Sequence, residues 1–91
     1  MANILIADDS PFIRTAYKRV LETQADFAVA AVCEDGLEAV NKCAELDVDV
    51  AVLDIRMPRL DGISASKTIR ENNPDTSIVV CLLYTSPSPR D

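Results

Sequence analysis

The apolar pattern of the chain changes period several times. Asn3-Ile4-Leu5-Ile6-Ala7 is a short, nearly continuous apolar run. A run of this length without alternation predicts a strand buried on both faces. Asp8-Asp9-Ser10-Pro11 interrupts it. Ser10 offers a helix N-cap and Pro11 suits the first helical position. Phe12, Ile13, Ala16, Tyr17, Val20 and Leu21 then recur at helical spacing, with Arg14, Lys18, Arg19 and Glu22 mostly on the other side. This predicts an amphipathic helix to about Thr23, with its Phe12–Tyr17 side in the core. A second β-type run spans Phe27 to Val32, and Glu34-Asp35-Gly36 breaks it. Gly36 is placed at the turn into a second helix, whose apolar stripe reads Leu37, Val40, Cys43 and Ala44. Val48 to Leu53 predicts a third strand. Asp61-Gly62 opens a third helix, with Ile63, Ser66 and Ile69 inward and Lys67, Arg70 and Glu71 outward. Asn72-Asn73-Pro74 stops that helix, and Ile78 to Val80 begin a fourth strand.

The order βαβαβαβ predicts a parallel sheet covered by helices and joined by right-handed crossovers. In such sheets ligands bind beyond the carboxyl ends of the strands, where the strand order reverses. Asp8 and Asp9 close the first strand and Asp54 closes the third. If those strands are neighbours, the three acids meet in one crevice. Like charges that close call for a cation or a raised pKa. Hard oxygen donors in an open cleft suit Mg²⁺, which often bridges to a phosphate. A carboxylate beside it can act as a nucleophile towards phosphorus. The plainer reading makes Asp8 and Asp9 a capping pair near a helix N-terminus and Asp54 a turn residue. It accounts for each acid alone, but not for three at matched strand ends.

Composition narrows the classes. The chain has 91 residues, 48% hydrophobic and 26% charged, which is one small domain with a core. A formal net charge of -6 argues against nucleic-acid binding by this segment. Cys33, Cys43 and Cys81 are scattered and histidine is absent, so a structural zinc is not expected. Unclustered, odd-numbered cysteines suit a reducing compartment. No apolar run approaches the roughly 18 residues of a membrane span. A cytoplasmic protein without a membrane partner is therefore expected.

Three segments together carry a family resemblance: "ILIADDSPFIR", "DGLEAV" and "DVAVLDIRMPRLDG". Over residues 3–80 the chain resembles the receiver domain of bacterial response regulators. The resemblance implies a flavodoxin-like (CheY-like), doubly wound α/β fold. It implies that Asp54 is the phosphoacceptor, that Asp9 ligates Mg²⁺ directly and that Asp8 does so through water. The backbone carbonyl of Arg56 would complete the metal shell, and its side chain would modulate hydrolysis. The implied donor is the phosphohistidine of a sensor histidine kinase or a phosphotransfer protein. A kinase-docking role for the first helix is implied as well. Met57 is expected to pack, Pro58 to shape the loop, and Gly62 to permit a tight turn or close packing.

The sequence also departs from the family. A receiver normally carries Ser or Thr at the end of strand four and Lys at the end of strand five. The first position falls near Leu82; Thr85 and Ser86 are out of register, and Lys67 lies on the third helix. "CLLYTSPSPRD", residues 81–91, resembles the in-frame translation of a sequencing-library adapter, and is expected to lie outside the fold. Residues 1–80 then form a partial receiver, with the fifth strand and last two helices missing. An open edge at strand four, wet apolar surface, marginal stability and metal binding without switching are the expected consequences. Two rivals remain. One is a pseudo-receiver binding module without phosphorylation. The other is an Asp-nucleophile phosphatase, which wants a second Asp two residues after the nucleophile, where this chain has Arg56.

Overall fold

A computed structural model of the chain describes residues 1–81, so the positions Leu82, Thr85 and Ser86 lie outside the described residues. Within them the order is β1 (Ala2–Ala7), α1 (Pro11–Glu22), β2 (Phe27–Cys33), α2 (Gly36–Glu45), β3 (Val50–Asp54), α3 (Gly62–Asn72) and β4 (Ser77–Cys81). All strand pairs are parallel and the spatial order is β2-β1-β3-β4. The expected flavodoxin-like α/β arrangement of alternating strands and helices is present. β4 extends to Cys81, one residue into the stretch assigned to the tail from sequence.

The strand order fixes where the helices go. The chain steps from β1 to β2 in one direction, then crosses back over β1 to β3 and on to β4. Right-handed crossovers of opposite direction place their helices on opposite faces. α1 therefore covers one face, while α2 and α3 lie side by side on the other. The reversal falls between β1 and β3, whose carboxyl ends carry Asp8, Asp9 and Asp54.

The core lies on the α2–α3 face. Leu5 and Ala7 of β1 and Ala51 and Leu53 of β3 pack there against Ala39, Cys43, Ala65 and Ile69. Their small helix residues let α2 and α3 approach the sheet closely. Ile4 and Ile6 point to the other face by strand alternation and are also buried, as two-sided burial of a parallel strand requires.

Three sequence expectations need correction. No residue of α1 is buried, and Phe12 is 78% exposed. Its Phe12–Tyr17 side is not core, because among the described residues α1 stands alone on its face. In α2 the buried positions are Gly36, Ala39 and Cys43, while Leu37 is exposed. In α3 they are Gly62, Ala65 and Ile69, while Ile63 is exposed. Cys43 and Ile69 are buried as expected and Val40 packs on the core, but Leu37 and Ile63 in the first turns are not inward. Two glycine contacts set the orientation of those turns. A Cβ on Gly36 would collide with the Leu60 carbonyl oxygen, and one on Gly62 with the Asp54 carbonyl oxygen. Helix turns pressed onto backbone leave the neighbouring Leu37 and Ile63 side chains facing outward.

These burials make the two kinds of apolar position separable. Ile69→Ala should cost about 3 kcal/mol in urea unfolding, as deletion of a fully buried side chain does. Phe12→Ala should fall within about 0.5 kcal/mol of the parent.

Candidate functional site

The first part of the site is the turn after β1. The Asp8 N–H continues the β1–β2 ladder by donating to the Cys33 carbonyl at 3.1 Å. The Asp8 carboxylate then accepts from the Ser10 N–H at 2.9 Å, and Ser10 caps α1 by accepting from the Ile13 N–H at 3.4 Å. Arg14 reaches back from α1 and donates to the Asp8 carbonyl at 2.8 Å. These bonds hold Asp8 and Asp9 at the strand end with α1 already begun.

The second part is the end of β3 and the loop behind it. Asp54 is the last residue of β3, opposite Cys81 of β4. The Ile55 N–H donates to the Cys81 carbonyl at 3.0 Å, and the Ile55 carbonyl accepts from the Gly62 N–H at 2.9 Å. Loop 55–61 is thus closed at its base, which the close approach of Gly62 to Asp54 makes possible. Met57 is buried in the core and anchors the loop from below. Asp61 caps α3, accepting from the Ser64 N–H at 2.7 Å. Met57 and Gly62 therefore do the packing expected of them, and Pro58 is exposed on the loop.

The two parts converge. Asp8, Asp9 and Asp54 each offer a carboxylate oxygen, and the three lie within 4.8 Å of one another. Asp8 and Asp54 are both 3% exposed, while Asp9 faces solvent. Arg56 borders the same cavity, about 480 Å³ in volume, together with Asp9, Phe12 and Ile13. Asp54 Oδ1 is buried without a hydrogen-bond partner. Burial is the main cause that raises the pKa of Asp54, with the charge of Asp9 adding to it and the Arg56 and Ile55 N–H groups opposing. Asp8 is raised in the same way, by burial first and by the charges of Asp54 and Asp9, against the Ser10 N–H. Clustered hard oxygen donors with an unpaired buried lone pair fit a hard divalent cation such as Mg²⁺.

Two further residues, Asp35 at the start of α2 and Arg59 in the loop, were not singled out from sequence. Asp35 is 2% exposed and caps α2, its Oδ1 accepting from the Glu38 N–H at 2.8 Å. Its Oδ2 accepts from Arg59 Nε at 3.0 Å and also from Arg59 Nη2. Arg59 is the one described non-glycine residue with a positive φ, 68°. The signal for Asp35 was present as Asp35-Gly36-Leu37-Glu38, an N-cap followed by Glu three residues on. Nothing in the sequence marks Arg59.

The cluster carries a stability consequence. Asp8 and Asp54 have folded pKa values above their ordinary value, so the folded state binds protons more readily than the unfolded one. The penalty is present at neutral pH and is relieved as pH falls through the raised folded values. Asp54→Asn should therefore raise the melting temperature of the metal-free protein at pH 7. The gain should shrink as pH is lowered through the raised values of Asp8 and Asp54, where the parent takes up protons on these two groups. Calorimetric melts of the two proteins across that range check the sign.

Comparison with known proteins agrees with this geometry. Residues 4–88 match the family described as the response regulator receiver domain. The chain is 41% identical over 81 residues to the chemotaxis protein CheY of Listeria monocytogenes, covering 89% of this chain and 67% of that protein. It is 44% identical over 80 residues to a protein-glutamate methylesterase/protein-glutamine glutaminase of Thermotoga maritima, covering 88% of this chain. There the chain spans only 23% of the relative's length. The crystal structure of the response regulator domain of Thermotoga maritima CheB superimposes with a TM-score of 0.84 at 40% identity, covering 88% of this chain and 59% of that one. CheY in the CheX-CheY-BeF3-Mg²⁺ complex of Borrelia burgdorferi is similar at 31% identity and a TM-score of 0.82, covering 87% of this chain and 60% of that one. The family match spans most of the chain and the fold superimposes on solved response regulator domains, and the chain belongs to the response regulator receiver domain family.

Proposed function

We propose that Asp54 is the phosphoacceptor of this receiver domain. The supporting observation is its Oδ1: buried, without a hydrogen-bond partner, at the strand end where Asp8 and Asp9 converge. The donor class is a phosphohistidine on a sensor histidine kinase or a phosphotransfer protein. A bond forms between an Asp54 carboxylate oxygen and phosphorus while the bond from phosphorus to the imidazole nitrogen breaks. The leaving electron pair stays on the imidazole, and Asp54 becomes an acyl phosphate. The reading is of a signalling acceptor rather than an enzyme.

The other residues have supporting parts. Asp9, Asp54 and the Arg56 backbone carbonyl would hold Mg²⁺ directly, with Asp8 holding it through water. Bound there, the cation supplies neutralisation of the charge that builds on the transferring group. Asp8 keeps the β1 turn in place through its bond from Ser10. The Arg56 side chain borders the cavity and is placed to influence water approaching the phosphoryl group. Similarity to the Borrelia burgdorferi CheX-CheY-BeF3-Mg²⁺ complex supports this assignment of the acids.

The wider reading keeps to this segment. Its net charge of -6 supports a domain that does not itself bind nucleic acid. Among the described residues no helix is long and apolar enough to cross a membrane. A cytoplasmic setting follows from the kinase donor class. Residues 1–80 are assigned to the receiver and 81–91 to appended sequence, on the resemblance of the latter to a translated adapter, although β4 includes Cys81 and the family match runs to residue 88. The esterase chemistry of the methylesterase relatives is not transferred here.

Incubation with Mg²⁺ and acetyl phosphate tests the reading. An acid-stable, base-labile phosphoryl adduct is expected, and Asp54→Asn should abolish it. No adduct on the parent protein would favour a pseudo-receiver. Sustained turnover of phosphate monoesters would favour a phosphatase.

A further inference from the structure

We propose that Asp35 and Arg59 are positioning residues, which clasp loop 55–61 to the start of α2 and so hold the Arg56 carbonyl at the acid cluster. The inference rests on the reading of that cluster as a metal site. It starts from an imbalance of burial. Asp35 is 2% exposed, whereas the Arg59 side chain is 67% exposed. A buried carboxylate needs its oxygens satisfied. Asp35 meets that need with both: Oδ1 takes the Glu38 N–H of α2, and Oδ2 takes Arg59 from the loop. One side chain therefore joins two separate elements.

Two backbone features point to the same junction. Gly36 is pressed so closely against the Leu60 carbonyl that a methyl group has no room there. Arg59 holds a φ of 68°, a left-handed conformation that an arginine keeps only where its surroundings impose it. Arg59 and Leu60 are thus fixed against α2, three and four residues after Arg56. On the near side of Arg56, the Gly62 N–H to Ile55 carbonyl bond closes the loop's base. Arg56 is held between these points, while its own side chain remains exposed. Loss of the far point would leave the Arg56 carbonyl free to turn away without disturbing Asp8, Asp9 or Asp54.

Substitutions can separate the clasp from the local structure. Serine at position 35 keeps an N-cap acceptor but cannot hold Arg59. Asparagine at position 59 tolerates the left-handed backbone but lacks the guanidinium. Mg²⁺ affinity is read from amide shifts of Asp9 and Arg56 during titration with the metal alone, and loop order from hydrogen exchange of the Gly62 amide. Asp35→Ser and Arg59→Asn should each weaken Mg²⁺ binding about tenfold. The double variant should be no weaker than either, since both break one link. Gly62 exchange should quicken and Arg59→Lys should recover part of the affinity. Arg59→Asn, which leaves a buried Asp35 oxygen unpaired, should also melt at a lower temperature, so affinities are compared well below the melting transition of each variant. Parent-like affinity and Gly62 exchange in Asp35→Ser would overturn the clasp alone. So would fully additive losses in the double variant. A parent protein whose Asp9 and Arg56 amides do not respond to Mg²⁺ would instead overturn the metal-site reading, and the clasp's role with it.

Discussion

Repulsion among three carboxylates is the constraint on which the site depends. Asp8, Asp9 and Asp54 are held with oxygens within 4.8 Å of one another, and two of them are almost fully buried. In water such a group would spread apart. Here the acids sit at the ends of adjacent parallel strands, whose ladder runs in register up to Ala7 and Leu53. The sheet cannot relax without breaking the pairing of β1 with β3. Burial first, and the neighbouring carboxylates after it, therefore raise the pKa values of Asp8 and Asp54, and one Asp54 oxygen is left unpartnered. A cation or a phosphoryl group's counter-charge relieves what the fold cannot.

Most other features serve to maintain that geometry. The chain reverses direction between β1 and β3, which places the strand ends side by side and sends α1 to the opposite face from α2 and α3. Two glycines allow backbone to touch backbone around the loop. Gly62 lets α3 start against Asp54, and Gly36 lets α2 start against Leu60. Met57 ties the loop to the core and Asp35 ties it to α2. The loop behind the acids is therefore fixed from three sides, although Pro58 and Arg59 at its tip face solvent.

Strands and their order of appearance were legible because buried parallel strands leave continuous apolar runs. The Ser10-Pro11 helix start was legible because its capping chemistry is local, and the structure shows Ser10 in that role. The convergence of the three acids followed from the switch-point rule once β1 and β3 were taken as neighbours. The faces of α2 and α3 were legible at Cys43 and Ile69 but not in their first turns. Hydrophobicity ranks Leu37 and Ile63 above Gly36 and Gly62, yet the glycines are buried, because contact with backbone rewards the absence of a side chain. Phe12 misled for a related reason: an amphipathic stripe tells which side of a helix is apolar, not whether neighbours exist to cover it. Arg59 was beyond reach, since an exposed arginine in a polar loop carries no mark of the buried acid it meets.

A crystal structure of the protein grown with Mg²⁺ and beryllium fluoride tests the central claim most directly. The account predicts Mg²⁺ at about 2.0–2.1 Å from oxygens of Asp9, Asp54 and the Arg56 carbonyl, with beryllium fluoride on Asp54. Metal bound elsewhere, or beryllium fluoride absent from Asp54 with the acid cluster intact, would contradict it.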